Sequence, residues 1–264
     1  MASDKRQVVS FRLSDSNIIK LEYREAVPST AALAREYARA GYPDRYVIFA
    51  ENQSNTAVTG TKLSEGEYER GVFISCILRP SFFPSQAGLL GPISAAALIT
   101  ALEEHTTKRL GIGWVSDIYC EGGKIGGVAI EGKLDSFSSY EYLIVSFAIR
   151  LDGTNFPPRL TDMIRKVFES ENASVAMIIA KTVLTRFFAA YTDIKSPAKM
   201  MDIYKERFVL TDKKIKYVED GKRHSCRVVD VDRQTATLTV ETKKGELKRI
   251  TSPSGVIIPA KIKM

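Results

Sequence analysis

The stretch GIGWVSDIYCEGGKIGGVAIE, Gly111 to Glu131, decides how the rest of the chain is read. Trp114, Val115, Ile118 and Tyr119 form an apolar run, Glu121-Gly122-Gly123 has turn composition, and Ile125, Val128, Ala129 and Ile130 resume the apolar pattern. The expectation is strand, tight hairpin, strand. Lys124 leaves the turn beside Gly126-Gly127, where missing side chains would leave a bare floor for a ligand lying against the backbone. Asp117 precedes Lys124 by seven residues, so folding back over the turn brings a carboxylate and an ammonium to opposite sides of one shallow pocket. The same spacing also fits an ordinary glycine hairpin with a solvated lysine and a turn aspartate.

Upstream of the hairpin, residues 7 to 24 alternate as two extended segments turning at Asp15-Ser16-Asn17. Ser29 or Thr30 then caps an alanine-rich helix that stops at Gly41. A strand at Tyr46–Ala50, a long polar loop from Glu51 to Glu69, a buried strand at Gly71–Arg79 and a helix over 88–109 lead into the hairpin. A loop of that length is usually functional or mobile. Downstream, the pattern predicts a strand at Tyr140–Leu151, a break at Pro157-Pro158 and helices over 158–170, 173–191 and 197–208. Near residue 210 the composition changes to five short strands with turns at Asp220-Gly221, Asp232-Arg233 and Lys244-Gly245, which suggests a small β-barrel.

The 264 residues, 44% hydrophobic and 26% charged, are enough for a sizeable core in one large domain or two unequal ones. A formal charge of +7, with much of the excess near the C-terminus, suits an acidic partner or a nucleotide as well as nucleic acid. Cys76, Cys120 and Cys226 are far apart, and only His105 and His224 could join them. That argues against a zinc site or a disulfide framework and for a reduced, cytoplasmic protein. Cys76 and Cys120 read as buried structural thiols rather than nucleophiles. No signal sequence and no apolar run of spanning length is visible, so neither a membrane nor, at this modest charge, nucleic acid is an expected partner.

The hairpin resembles the centre of the biotin–protein ligase family, in which a Lys-Trp-Pro-Asn-Asp segment precedes a hairpin and a Lys-(Ile/Leu)-(Ala/Gly)-Gly-Ile segment. Trp114, Asp117, Ile118, Tyr119, Lys124, Ile125, Gly126 and Gly127 keep that pattern, and Gly113, Val115 and Ser116 depart from it. The resemblance covers nearly the whole chain and implies an α+β fold. A mixed or antiparallel sheet with packed helices would span residues 1–208, and an SH3-like barrel residues 209–264. It leaves out the N-terminal winged helix of some bacterial members, so no repressor role is expected.

In that family biotin and ATP, with Mg2+, form a biotinyl adenylate that passes to a lysine of a carboxyl carrier domain. The resemblance makes Lys124 the catalytic cation and places Ser29, Thr30, Gln53, Trp114, Asp117, Gly126 and Gly127 at the substrate. No tightly bound metal is implied, and some members pair as homodimers. The family's arginine- and glycine-rich adenylate loop is replaced here by Ser54–Lys62, leaving Gly60 and Lys62 as substitutes. Phe147 stands at a family glycine and Arg150 at a family asparagine, where it could supply positive charge from the opposite wall. These departures leave three readings: a divergent but active ligase, a small-molecule or carrier-domain binding protein, or a lipoate/octanoate transferase.

Overall fold

The computed structural model describes residues 6–14, 17–55, 58, 67–151, 175–259 and 261–264. Its larger sheet contains β1 (Gln7–Ser14), β2 (Asn17–Val27), β3 (Tyr46–Gln53), β4 (Glu69–Leu78), β5 (Leu110–Gly113), β6 (Asp117–Cys120), β7 (Gly123–Leu134) and β8 (Tyr140–Arg150). The strand order is β1-β2-β3-β4-β8-β7-β6-β5. Strands β2 and β3 run parallel, and helix α1 (Thr30–Arg39) makes the crossover that such a pair requires. The other neighbours are antiparallel, so the mixed α+β architecture expected from the sequence is the one observed.

Strand alternation gives this sheet two different faces. Val72, Ile74, Cys76 and Leu78 of β4 and Val145, Phe147 and Ile149 of β8 share a core with α2 (Leu90–Glu103) and α3 (Val175–Thr192). Complete burial of each large side chain contributes roughly 1.5–3 kcal/mol. On the opposite face Ile48, Ile77 and Ile144 pack with Ala34 and Ala38 of α1. That helix is also pinned by Glu22, a fully buried carboxylate. Glu22 accepts hydrogen bonds from Tyr46 (2.6 Å), Tyr37 (3.1 Å) and Arg24 (2.8 Å), and Arg6 lies 3.1 Å away. Arg79 closes the other end of α1 by donating to the carbonyls of Ala38, Tyr42 and Glu141.

The C-terminal part forms a second sheet of β9 (Lys214–Glu219), β10 (Lys222–Val231), β11 (Leu238–Thr242), β12 (Leu247–Ile250) and β13 (Val256–Ile257), ordered β12-β11-β10-β9-β13. Gly221 and Gly245 take the positive φ values, +71° and +81°, that its hairpin turns demand. Helix α4 (Ala198–Glu206) holds this sheet to the rest through Lys205–Asp230 and Arg233–Asp202 ion pairs.

Several expectations need correction. The helix placed over 88–109 starts with a 3-10 turn, Pro84–Leu89, and ends at Glu103. Lys108 instead pairs with Glu121 at 3.2 Å, and the Arg109 carbonyl accepts the Glu121 N–H. The expected single strand through Trp114 and Val115 is two strands, β5 and β6, separated by a turn over 114–116 with a cis Trp114–Val115 peptide. The helix expected over 158–170 lies outside the described residues. Helix α3, by contrast, is long and apolar enough to cross a membrane by length and composition. Half of that stretch is buried inside the fold, against α2 and the sheet.

Candidate active site

Strand β6 pairs with β7 around the turn at Glu121-Gly122, and a register shift there sets Lys124 opposite Tyr119, two residues along the strand from Asp117. The Lys124 Nζ lies 2.8 Å from Asp117 Oδ1. The two charges are thus in direct contact, not on opposite sides of a pocket as the spacing suggested. Both side chains remain partly open to solvent, 20% for Lys124 and 28% for Asp117. They line a cavity of about 630 Å3 whose other walls include Trp114, Val115, Ile130, Val256 and Ile258. The cavity therefore lies between the hairpin and the C-terminal segment. An ammonium carries three donors, and the Asp117 contact leaves two of them for an arriving carboxylate or phosphate.

Trp114 serves as a wall of this cavity and also ties the two sheets together. Its buried indole donates to the Ala236 carbonyl at 2.7 Å. Tyr119, fully buried, donates to the Pro259 carbonyl at 2.8 Å. Burial and the nearby Asp117 charge push its phenol far up, so it remains a protonated donor.

The residues expected at the other end of the ligand sit on the α1 face of the sheet. Ser29 caps α1, accepting the Ala32 N–H at 3.2 Å, and lines a separate cavity of about 440 Å3 with Arg24, Pro28 and Glu36. Thr30 is buried, and Gln53 Oε1 accepts from both its N–H (2.9 Å) and its hydroxyl (3.1 Å). The chain of contacts continues from Thr30 Oγ1 to Ser75 at 3.0 Å and from Ser75 to Ser146 at 2.9 Å. Sequence reasoning missed Ser75 and Ser146. The available signal was a serine within each of two otherwise apolar strands.

Three other expectations change with the geometry. Gly126 and Gly127 do not form an open floor. A Cβ on Gly126 would overlap the Ala148 carbonyl, and one on Gly127 would lie 2.6 Å from the Ser116 carbonyl. These glycines are required by close approach of protein backbone. Phe147, at the family glycine position near the adenylate, is turned by alternation into the helix-covered core, against Phe187 at 5.1 Å. Arg150, expected on an opposite wall, donates to the Lys124 carbonyl at 3.2 Å and so braces the strand carrying that lysine. Gly60 and Lys62 lie outside the described residues.

Cys76 is buried, and burial alone pushes its thiol up, away from nucleophilic chemistry. Among the described residues no group of three or more His, Cys, Asp or Glu side chains could hold a metal ion.

No family model matches the chain. It is similar to the bifunctional ligase/repressor BirA of Bacillus subtilis, 22% identical over 175 residues that cover 66% of this chain and 54% of that protein. The Bacillus spizizenii counterpart is 21% identical over the same length. The chain thus spans about half the length of the curated relatives it matches. Among solved structures it is similar to biotin protein ligase from Aquifex aeolicus in complex with biotin and ATP, with TM-score 0.62 and 17% identity over 89% of this chain and 97% of that one. A biotin protein ligase-like protein of unknown function from Silicibacter sp. matches with TM-score 0.62 and 12% identity, over 93% and 97% of the two chains. At such identities the structural likeness establishes the fold.

Proposed function

Because the chain is a distant relative of the biotin protein ligases and has their fold, we propose that it is a divergent biotin–protein ligase. In this reading it joins biotin to ATP as biotinyl adenylate and passes the biotinyl group to a lysine of a carboxyl carrier domain. The observation that carries the reading is the Lys124–Asp117 pair at the wall of the 630 Å3 cavity. Asp117 holds the ammonium in place, and its two remaining donors meet the biotin carboxylate and the α-phosphate of ATP. Positive charge placed where negative charge develops is worth most in a water-poor site. Thr30 and Gln53 serve the polar head of biotin, Ser29 orders the start of α1, and Trp114 walls the cavity. Arg150 acts by positioning Lys124, while Gly126 and Gly127 let the strands approach. Gly60 and Lys62 are the adenylate loop's contribution.

The division at residues 208/209, a cytoplasmic location and a carrier-domain partner belong to the same reading. The solved structures matched above are a biotin protein ligase and a biotin protein ligase-like protein, which favours biotin over a lipoate or octanoate donor. The test is transfer of labelled biotin to a carrier domain, with and without ATP, by the wild-type chain and by Lys124→Ala. The expected result is ATP-dependent labelling that falls roughly 10²–10³-fold in the variant. No labelling by the wild-type chain at saturating biotin, ATP and acceptor would refute it.

A further inference from the structure

The last residues of the chain return to the hairpin that carries Lys124. The Ile262 N–H donates to the Gly122 carbonyl at 2.8 Å, and the Gly122 N–H points at Met264 Sδ, 2.9 Å away. Lys261 forms a bridge with Gly123, the residue just before Lys124. Tyr119, on the strand opposite, donates to the Pro259 carbonyl at 2.8 Å. The fit at the turn excludes any side chain. Gly122 has φ +88°, and a Cβ there would overlap the Ile262 carbonyl. The same C-terminal segment contributes Pro253, Val256, Ile257 and Ile258 to the cavity beside Lys124. One length of chain therefore both walls the cavity and clamps the turn next to its cation.

We propose that Pro259 and Lys261–Met264 form a positioning strap for Lys124, so that ligand affinity in the cavity depends on residues remote in sequence from the hairpin. The proposal deepens the ligase reading and rests on it for the identity of the ligand. The physical reason is leverage. Lys124 lies two residues beyond Gly122, and turns without such ties fray first. A cation that wanders by about 1 Å can cost on the order of 10²-fold in rate. Preorganisation of this kind raises affinity without adding a contact to the ligand.

The test compares three proteins: the full chain, the chain ending at Ile258, and full-length Gly122→Ala, which displaces the strap while keeping every functional group. Two quantities are read. Amide exchange reports the tie at Gly122 and, as a control, the second-sheet strands β10 and β11 at Val228 and Val240. Calorimetry reports affinity for a non-hydrolysable sulfamoyl analogue of biotinyl adenylate. The expected result is exchange at Gly122 faster by at least 10-fold in both variants, with Val228 and Val240 unchanged. Affinity for the analogue should fall by at least 10-fold in both variants. In transfer assays KM for biotin should rise more than kcat falls. Unchanged exchange at Gly122, or unchanged affinity despite faster exchange, overturns the strap. If the wild-type chain does not bind the analogue, the ligase reading fails, and the exchange measurement still decides whether the tail holds the hairpin.

Discussion

Restoring glycine at position 147 distinguishes a ligand-facing residue from a core residue. Phe147 is 1% exposed, with its ring edge-on to Phe187 at an interplanar angle of 69°. Truncating a buried phenylalanine costs about 3–5 kcal/mol, part of it from the cavity left behind. Glycine inside a strand adds about 0.5–1 kcal/mol. Phe147→Gly should therefore lose roughly 4–6 kcal/mol, a large share of the roughly 5–15 kcal/mol typical of a folded domain. In a protein of this size each kcal/mol moves the melting temperature by about 2–4 °C, so the fall should be on the order of 10–20 °C. Thermal and urea unfolding followed by circular dichroism measure the loss, and titration with the adenylate analogue measures binding. The expected variant is much less stable and gains no affinity. A variant as stable as the wild type that binds the analogue more tightly would refute the assignment of this ring to the core.

Two further outcomes follow from the packing. Burial alone would raise the Glu22 pKa, but hydrogen bonds from Tyr46 and Arg24 and attraction to Arg6 and Arg24 outweigh it and hold the carboxyl below its usual range. Its contribution is thus fully present above the unfolded value of about 4.3 and is lost as pH falls through the lower folded value. Glu22→Gln should be less stable at pH 7, by roughly 3–5 kcal/mol for a broken buried pair, and the gap should narrow in denaturant titrations carried toward pH 3. A gap independent of pH would show that the charge is not what stabilises. Trp114→Phe removes the donor to the Ala236 carbonyl and should cost about 1–3 kcal/mol. Equal midpoints for Trp114→Phe and wild type in urea would mean that this bond does not tie the sheets.

Much of the fold was legible because local signals and tertiary structure agree. Ser29 and Gly41 bracket α1, and Gly221 and Gly245 mark hairpin turns that the C-terminal strands then obey. The site was less legible because its residues are fixed by contacts distant in sequence. Trp114 and Val115 read as strand by composition, yet Trp114 leaves the sheet to reach Ala236. The Gly126-Gly127 pair signals close approach, but sequence alone does not say whether ligand or backbone approaches, and here it is backbone. The Phe147 side could have been read from the strand's period of two, since Val145 and Ile149 are apolar and Ser146 is not. The tail's return to Gly122 has no local signal, because nothing between residues 259 and 264 names its partner.

The hydroxyls beneath α1 carry a sense of direction. Gln53 Oε1 can only accept, so the Thr30 proton is committed to it, and the Ser75 proton is committed in turn to Thr30 Oγ1. Ser146 must then spend its own proton on Ser75. Its oxygen is left with lone pairs alone for any newcomer. A molecule that reaches this end of the relay has to arrive as an N–H or O–H, and one offering only a carbonyl there is turned away.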